Sequence, residues 1–428
     1  MDDRGIFYDE DAETLARPAI EALQEELLAE LLPHAYEGST LIREAWDAVG
    51  LRPEDVGGLD DLAAKVPFID KDTLRRFRDD RDDPYGGMLA VDPAELTAIM
   101  STSGTTGDPT LVPEVWGGAR PGVMTRDFWG MGVRPGDHIS LHLFSYRGPV
   151  YGFAHTLGAI PLLFDYDLDE LPRLCELSVR YRPTAIYNVG NTTIHALQDL
   201  EAAGVDIADA LSSYKGVVVA GEPVGARARA QAAAWGADLF EHTSVGDVTA
   251  GFECPAHDGL HVWEDSVVVE CLDPDGDEPV PDGEPGELVA TTLFNRVWPL
   301  VRYRSGDLVR VTREPCACGR THARVWPLGR LGDEVVVDGR PVLPLDLWDA
   351  VESAPGSGYG LFQVLRPQRE VDRLRLRVGH RPGQGDTAGA VRAAVLDAVG
   401  IEPEVELVSE AELLRLGPPH KIPRVASA

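Results

Sequence analysis

The chain has 428 residues, of which 44% are hydrophobic and 26% charged, ordinary proportions for a globular protein with room for two or three domains. Its 39 basic residues face 71 acidic ones, and the resulting net charge of −32 repels nucleic acid and anionic lipid. No apolar run approaches the roughly 20 residues of a membrane span, and the start MDDRGIFYDEDAE is the opposite of a basic, then apolar, signal peptide. Neither nucleic acid nor membrane is therefore an expected partner, and the cytoplasm is the expected compartment. Through the first hundred residues apolar positions recur at three and four spacing, as in ALQEELLAELLPHAYE, which predicts helices. ELTAIM then reads as a short strand.

Directly after it comes STSGTTGDPT, residues 101–110. A surface turn would explain the glycines but not so many hydroxyls. A loop that wraps an anionic group explains both: Gly104 and Gly107 let backbone N–H groups approach closely, and Ser103, Thr105 and Thr106 add donors. It is not a Walker loop, because Asp108 follows Gly107 where that loop needs lysine.

From about residue 137 short apolar runs (HISLHLF, AIPLLF, TAIYNV, KGVVVAGEP) alternate with helical stretches (IHALQDLEAAG, ARARAQAAAWGA), the signature of β-α units and a largely parallel sheet. Residues 260–310 turn β-rich, with Pro/Gly turns in DPDGDEPVPDGEPGE. Beyond LGRLGDE a fresh alternation of strands and helices predicts a small α+β unit, with a glycine-rich boundary near 329–333. The expected organisation is a large N-terminal domain over 1–329 and a small one over 330–428, an α/β fold with parallel-sheet layers in its large part.

Three further turns accompany the hydroxyl-rich loop. AGEP (220–223) ends a buried strand, where open α/β sheets bind ligands. EHTSVGDV (241–248) carries Asp247, and RYRSGDL (302–308) carries Asp307, a carboxylate able to accept both hydroxyls of a ribose. Each alone reads as an ordinary turn; their order is what carries information.

In this order, with GLDDLAAKVPF, GVRPGD, DGLHVWED, GEPGELVATTL, PLVRYRSGDLVRV, EPCACGRTHAR, LGRLGDEVVVDGRPVLP and HKIPRV, the chain resembles the phenylacetate–CoA ligase branch of the adenylate-forming superfamily over nearly its whole length. The resemblance implies a mobile C-terminal domain and an ATP-dependent acid–thiol ligase that forms an acyl-adenylate with release of pyrophosphate, then passes the acyl group to coenzyme A. By the same resemblance Ser103, Gly104, Thr105, Thr106 and Gly107 would hold the ATP phosphates, and Gly221, Glu222 and Pro223 would line the adenine side. Asp247 would stand for the usual glutamate near Mg²⁺, Asp307 would bind the ribose, and Arg330 would approach the nucleotide. Lys421, one of only four lysines, would bridge carboxylate and α-phosphate.

The departures from the family pattern are Gly332 where a hinge aspartate is usual, and Thr243 and Ser244 where the nucleotide-stacking Tyr-Gly is usual. Phe144, Tyr146, Tyr151, Asn188 and Thr243 are the candidate acid pocket, suited to a small aryl or cyclic acid rather than phenylacetate itself. The altered hinge also fits a transfer to an amine or other nitrogen nucleophile. A homologue that binds nucleotide without catalysis is the reading from another class, and retention of Lys421 and Asp307 argues against it. A homodimer is compatible with all of these.

Of five cysteines, Cys175 and Cys271 stand in apolar surroundings and read as core. Cys316-x-Cys318 with Cys254 and His261 resembles a structural zinc site found in some members of the branch, with His257 or His322 as alternative fourth ligands. His138 and His195 read as structural.

Overall fold

The computed structural model describes residues 5–101, 111–115, 123–142, 151–165, 168–245, 249–383, 385–417 and 422–427. The expected phosphate loop Ser103–Gly107, Phe144, Tyr146, Asp247 and Lys421 lie outside the described residues. The α/β architecture implied by the alternation is present. The chain divides into two compact units that do not follow its linear order. One gathers Met1–Gly130, Phe144–Leu157 and Ser244–Pro327; the other gathers Met131–Leu143, Gly158–Thr243 and Leu328–Ala428.

In the first unit the helices Arg17–Gly38 and Thr40–Ala48 are separated by Ser39. Its Oγ accepts the Ile42 N–H at 3.2 Å, a helix cap that restarts the second helix. The apolar stripe of the two helices, Leu28, Leu31, Leu32 and Trp46, packs with Val268, Leu293, Trp298, Leu300 and Tyr303 in one core. Those partners belong to, or adjoin, an antiparallel sheet of Val267–Leu272, Pro285–Thr292 and Tyr303–Thr312. Gly286 is required there: a Cβ would come within 2.7 Å of Cys271 Sγ and of the Leu272 carbonyl. The two-residue strand Ile69–Asp70 joins this sheet in parallel with Tyr303 and Arg304. Several buried ion pairs of this unit use arginine. Arg126 grips Asp265 at 3.0 and 2.8 Å, Arg302 meets Glu270 at 2.8 Å and Arg320 meets Glu13 at 2.8 Å.

The second unit holds the parallel strands in the order Leu239–Val245, Gly216–Ala220, Ala185–Val189, His138–His142, Ile160–Phe164. Every residue of Gly216–Ala220 is buried, as the continuous apolar run GVVVA requires of a central parallel strand. Helices Leu171–Tyr181, Asn191–Ala202 and Ala226–Ala234 form the crossovers, and Cys175 is part of the core between helix and sheet. In the same unit, residues after 330 build a sheet in the order Glu404–Ser409, Arg375–His380, Ser357–Leu365, Val425–Ala426. Helices Trp348–Ser353 and Thr387–Val399 share a core with it through Trp348, Val351, Val391 and Val395. No helix among the described residues is long and apolar enough to cross a membrane.

Candidate functional site

At the carboxyl ends of three neighbouring parallel strands, the second unit brings together several residues singled out in the sequence. Asn188 has φ +69° at an irregularity in the pairing of Ala185–Val189, Gly221 (φ +81°) begins the turn after Gly216–Ala220, and Thr243 lies near the end of Leu239–Val245. Strand ends of this kind are where open parallel sheets bind their ligands. Tyr187 Oη and His242 Nδ1, 3.3 Å apart, link the two outer strands of the three.

The turn Gly221-Glu222-Pro223 is not an empty rim. Glu222 accepts the Asn191 side-chain N–H at 3.3 Å and the Ile422 backbone N–H at 3.1 Å, and it pairs with the Arg424 guanidinium. Asn191 also donates to the Pro223 carbonyl at 3.0 Å. Sequence reasoning missed Asn191 and Arg424. The signal for the second was its position three residues after Lys421 in HKIPRV.

Arg330 is exposed, and Gly332 follows with φ +85° and no atom within 4 Å of a would-be Cβ. The Gly332 N–H donates to Glu334 at 2.9 Å, and the Arg366 guanidinium bonds the Gly332 carbonyl. In the first unit Asp307 sits in the strand Tyr303–Thr312, its N–H donating to Ser305 Oγ at 3.0 Å beside Gly306 at φ +72°. Tyr151 opens the helix Tyr151–Leu157.

A second cluster lies wholly in the first unit. Ligand atoms of Cys254, His261, Cys316 and Cys318 all fall within 4.8 Å of one another. Cys254 follows the strand Thr249–Glu253, His261 is central in Leu260–Val262, and the CACGR turn supplies the other two, closed by the Gly319 N–H to the Cys316 carbonyl at 2.9 Å. The Cys254 and Cys316 sulfurs are 3.7 Å apart. A tetrahedron of Zn–S bonds near 2.3 Å has sulfur–sulfur edges of roughly 3.7 Å, so the donor set fits zinc in size as well as in chemistry. A hydrogen bond with Cys254, and then one with His261, holds the Cys318 thiol far below its usual range against the opposing effect of burial. Cys316 is likewise held below its usual range, with His261 among the causes, and the thiolate so favoured is the form a metal binds.

The alternative histidines are engaged elsewhere. His322 accepts the Glu264 N–H at Nδ1 (3.0 Å) with its Nε2 2.9 Å from the Ala12 carbonyl, and His257 pairs with Glu253 at 3.2 Å.

His195 is also more than a packing residue. Its Nε2 contacts Glu410 and lies 2.5 Å from an Arg381 nitrogen, while Arg381 pairs with Glu410 at 3.1 Å and with Asp199 at 2.9 Å. A nearby cavity of about 650 Å³ is lined by His195, Glu201, Arg227, Tyr359 and Arg381, and neither Asn188 nor Thr243 is among its lining residues.

With this geometry in hand, the comparisons with known proteins fall into one pattern. No family model matches the chain. It is 31% identical over 395 residues to the phenylacetate–coenzyme A ligase of Thermus thermophilus, covering 87% of this chain and 84% of that one. It is 30% identical over 389 residues to the enzyme of the same name from Aromatoleum evansii, with the same coverage. A solved 2-hydroxyisobutyryl-CoA ligase in the postadenylation state, in complex with 2-HIB-AMP, superposes with a TM-score of 0.85 at 25% identity, over 99% of this chain and 93% of that one. The identities and the shared fold together make the chain an adenylate-forming CoA ligase. More narrowly, the chain belongs to the phenylacetate–coenzyme A ligase family.

Proposed function

We propose that the protein activates a small carboxylic acid with ATP, forming an acyl-adenylate and pyrophosphate, and then transfers the acyl group to the thiol of coenzyme A. The observation that carries this reading is the 31% identity over 395 residues to a phenylacetate–coenzyme A ligase. In the first half-reaction two anions, carboxylate and α-phosphate, must meet in line, so their repulsion has to be neutralised. The Lys421 ammonium would supply one positive charge, bridging the two, and Mg²⁺ held near Asp247 would supply more. Ser103–Gly107 would donate to the phosphates, Asp307 would accept the ribose hydroxyls and Arg330 would approach the nucleotide. Phe144, Tyr146, Tyr151, Asn188 and Thr243 would enclose the acid, whose class is aryl or cyclic.

Residues 330–428 are the proposed mobile domain, with Gly332 as hinge, delivering Lys421 for adenylation and withdrawing it for thioester formation. Cys254, His261, Cys316 and Cys318 are the proposed ligands of one structural zinc, a role supported by their spacing. The proposed compartment is the cytoplasm, consistent with five unpaired cysteines.

The test is pyrophosphate release across a panel of aryl and cyclic acids, followed by mass spectrometry of the products formed with coenzyme A or with amines. An acyl-CoA product supports the reading. An amide product, or no pyrophosphate with any acid, would overturn it.

A further inference from the structure

The Glu222 carboxylate, expected beside the adenine, is taken up by the tail of the chain. One oxygen accepts the Ile422 N–H at 3.1 Å and pairs with Arg424; the other accepts the Asn191 side chain at 3.3 Å. The Arg424 guanidinium lies over two rings, 4.3 Å from the Trp348 centroid and 5.3 Å from that of Phe362, and donates to the Gly360 and Phe362 carbonyls. The tail backbone is fixed as well. The Val364 N–H donates to the Arg424 carbonyl at 2.8 Å, Arg366 N–H to Ala426 at 2.7 Å, and the Gln363 side chain to Pro423 at 2.9 Å. The tail thus ends in a short edge strand, Val425–Ala426, on Ser357–Leu365, and is clamped just before it, at Ile422 and Arg424, to the turn after Gly216–Ala220. Both partners of the pair are largely shielded from water, with side chains 5% (Glu222) and 14% (Arg424) exposed, so either one left alone would carry an uncompensated charge.

We propose that Glu222 is a positioning residue for adenylation, which with Arg424 fixes the tail from one residue after Lys421 onward and so sets where the lysine acts. This rests on the reading of Lys421 as the adenylation lysine. A lysine amine on a four-carbon stem gains its effect only when its main chain is held, because misplacement by 1 Å can cost about 10²-fold in rate. The clamp joins Glu222, before residue 330, to Ile422 and Arg424 after it. It must therefore open whenever residues 330–428 swing away, and its loss falls on the first half-reaction alone.

The experiment uses the full chain as wild type, Glu222→Gln, Arg424→Lys, Lys421→Ala and the Glu222→Gln/Lys421→Ala double variant. It measures acid-dependent pyrophosphate exchange and, separately, thioester formation from supplied acyl-adenylate and coenzyme A. Glu222→Gln should lower the exchange kcat by about 10–10²-fold, leave the KM for ATP within about threefold, and spare thioester formation. In the Lys421→Ala background it should cost nothing more. An additive loss in that background, or a raised KM for ATP at unchanged kcat, would mean that Glu222 contacts the nucleotide itself, and would overturn the proposal while leaving the reading of Lys421 intact. If Lys421→Ala leaves exchange unchanged, that reading fails and the proposal with it. Should Glu222→Gln not fold, Arg424→Lys, which keeps the charge and loses the planar fork, must show the same split between half-reactions.

Discussion

Cys318 Sγ lies 3.5 Å from His261 Nε2, close to the sulfur–nitrogen edge of roughly 3.5 Å expected for a tetrahedral zinc site with bonds of about 2.3 and 2.0–2.1 Å. Purified protein is expected to hold about one zinc per chain by elemental analysis, because structural zinc binds tightly enough to survive purification. Cys318→Ser should lower the melting temperature more than it alters preference among acids. A metal-free preparation that melts and turns over like the metal-loaded one would sink the assignment.

Lys421→Ala is expected to cost about 10²–10³-fold in adenylation, the scale of losing one contact to developing charge. Thioester formation from supplied acyl-adenylate should suffer much less. Rapid-quench measurement of both half-reactions decides it, and equal losses would refute the role.

At Gly332 the backbone has φ +85°, a conformation that an aspartate adopts only with strain. Gly332→Asp is expected to change the ratio of the two half-reaction rates rather than ATP affinity, since a hinge acts on populations of orientations. Should ATP binding shift while that ratio stays fixed, residue 332 is not the hinge.

Glu410 offers a pH signature. Burial alone would raise its carboxyl, but His195 and then Arg381 outweigh that and hold it below its usual range. A depressed carboxylate contributes stability that is fully present above the unfolded pKa and is lost as pH falls through the folded one. Glu410→Gln should therefore lower the melting temperature by about 1–4 °C at pH 7, and the gap should close as pH drops below the ordinary glutamate value of about 4.3. A gap of constant size down to the lowest pH at which the wild type stays folded would contradict this origin.

What could be read from the sequence was local. Alternating apolar runs fall on the observed strands Ala185–Val189 and Gly216–Ala220, and the CACGR spacing marks two members of the sulfur cluster. The resemblance names His261 and leaves His257 and His322 open, and it takes the fold to show that those two imidazoles already serve the Glu264 N–H, the Ala12 carbonyl and the Glu253 carboxylate. Likewise Glu222 with Arg424 and His195 with Glu410 are partners 202 and 215 positions apart, and periodicity carries no information at that range. The packing of the first helices on Val268 and Tyr303 was hidden for the same reason.

That packing bears on how the protein is made. Arg17 finds Glu264 only 247 residues later, Glu13 finds Arg320 after 307, and the strand Ile69–Asp70 has its neighbour at Tyr303. At about 5–20 residues per second a ribosome delivers these partners on the order of 10–60 s after the helices emerge. Until then Leu28, Leu31, Leu32 and Trp46 have no sheet to cover them. The opening helices are thus a natural client for a chaperone during synthesis, and refolding from denaturant should give better yields in dilute solution, where their exposed faces meet one another less often.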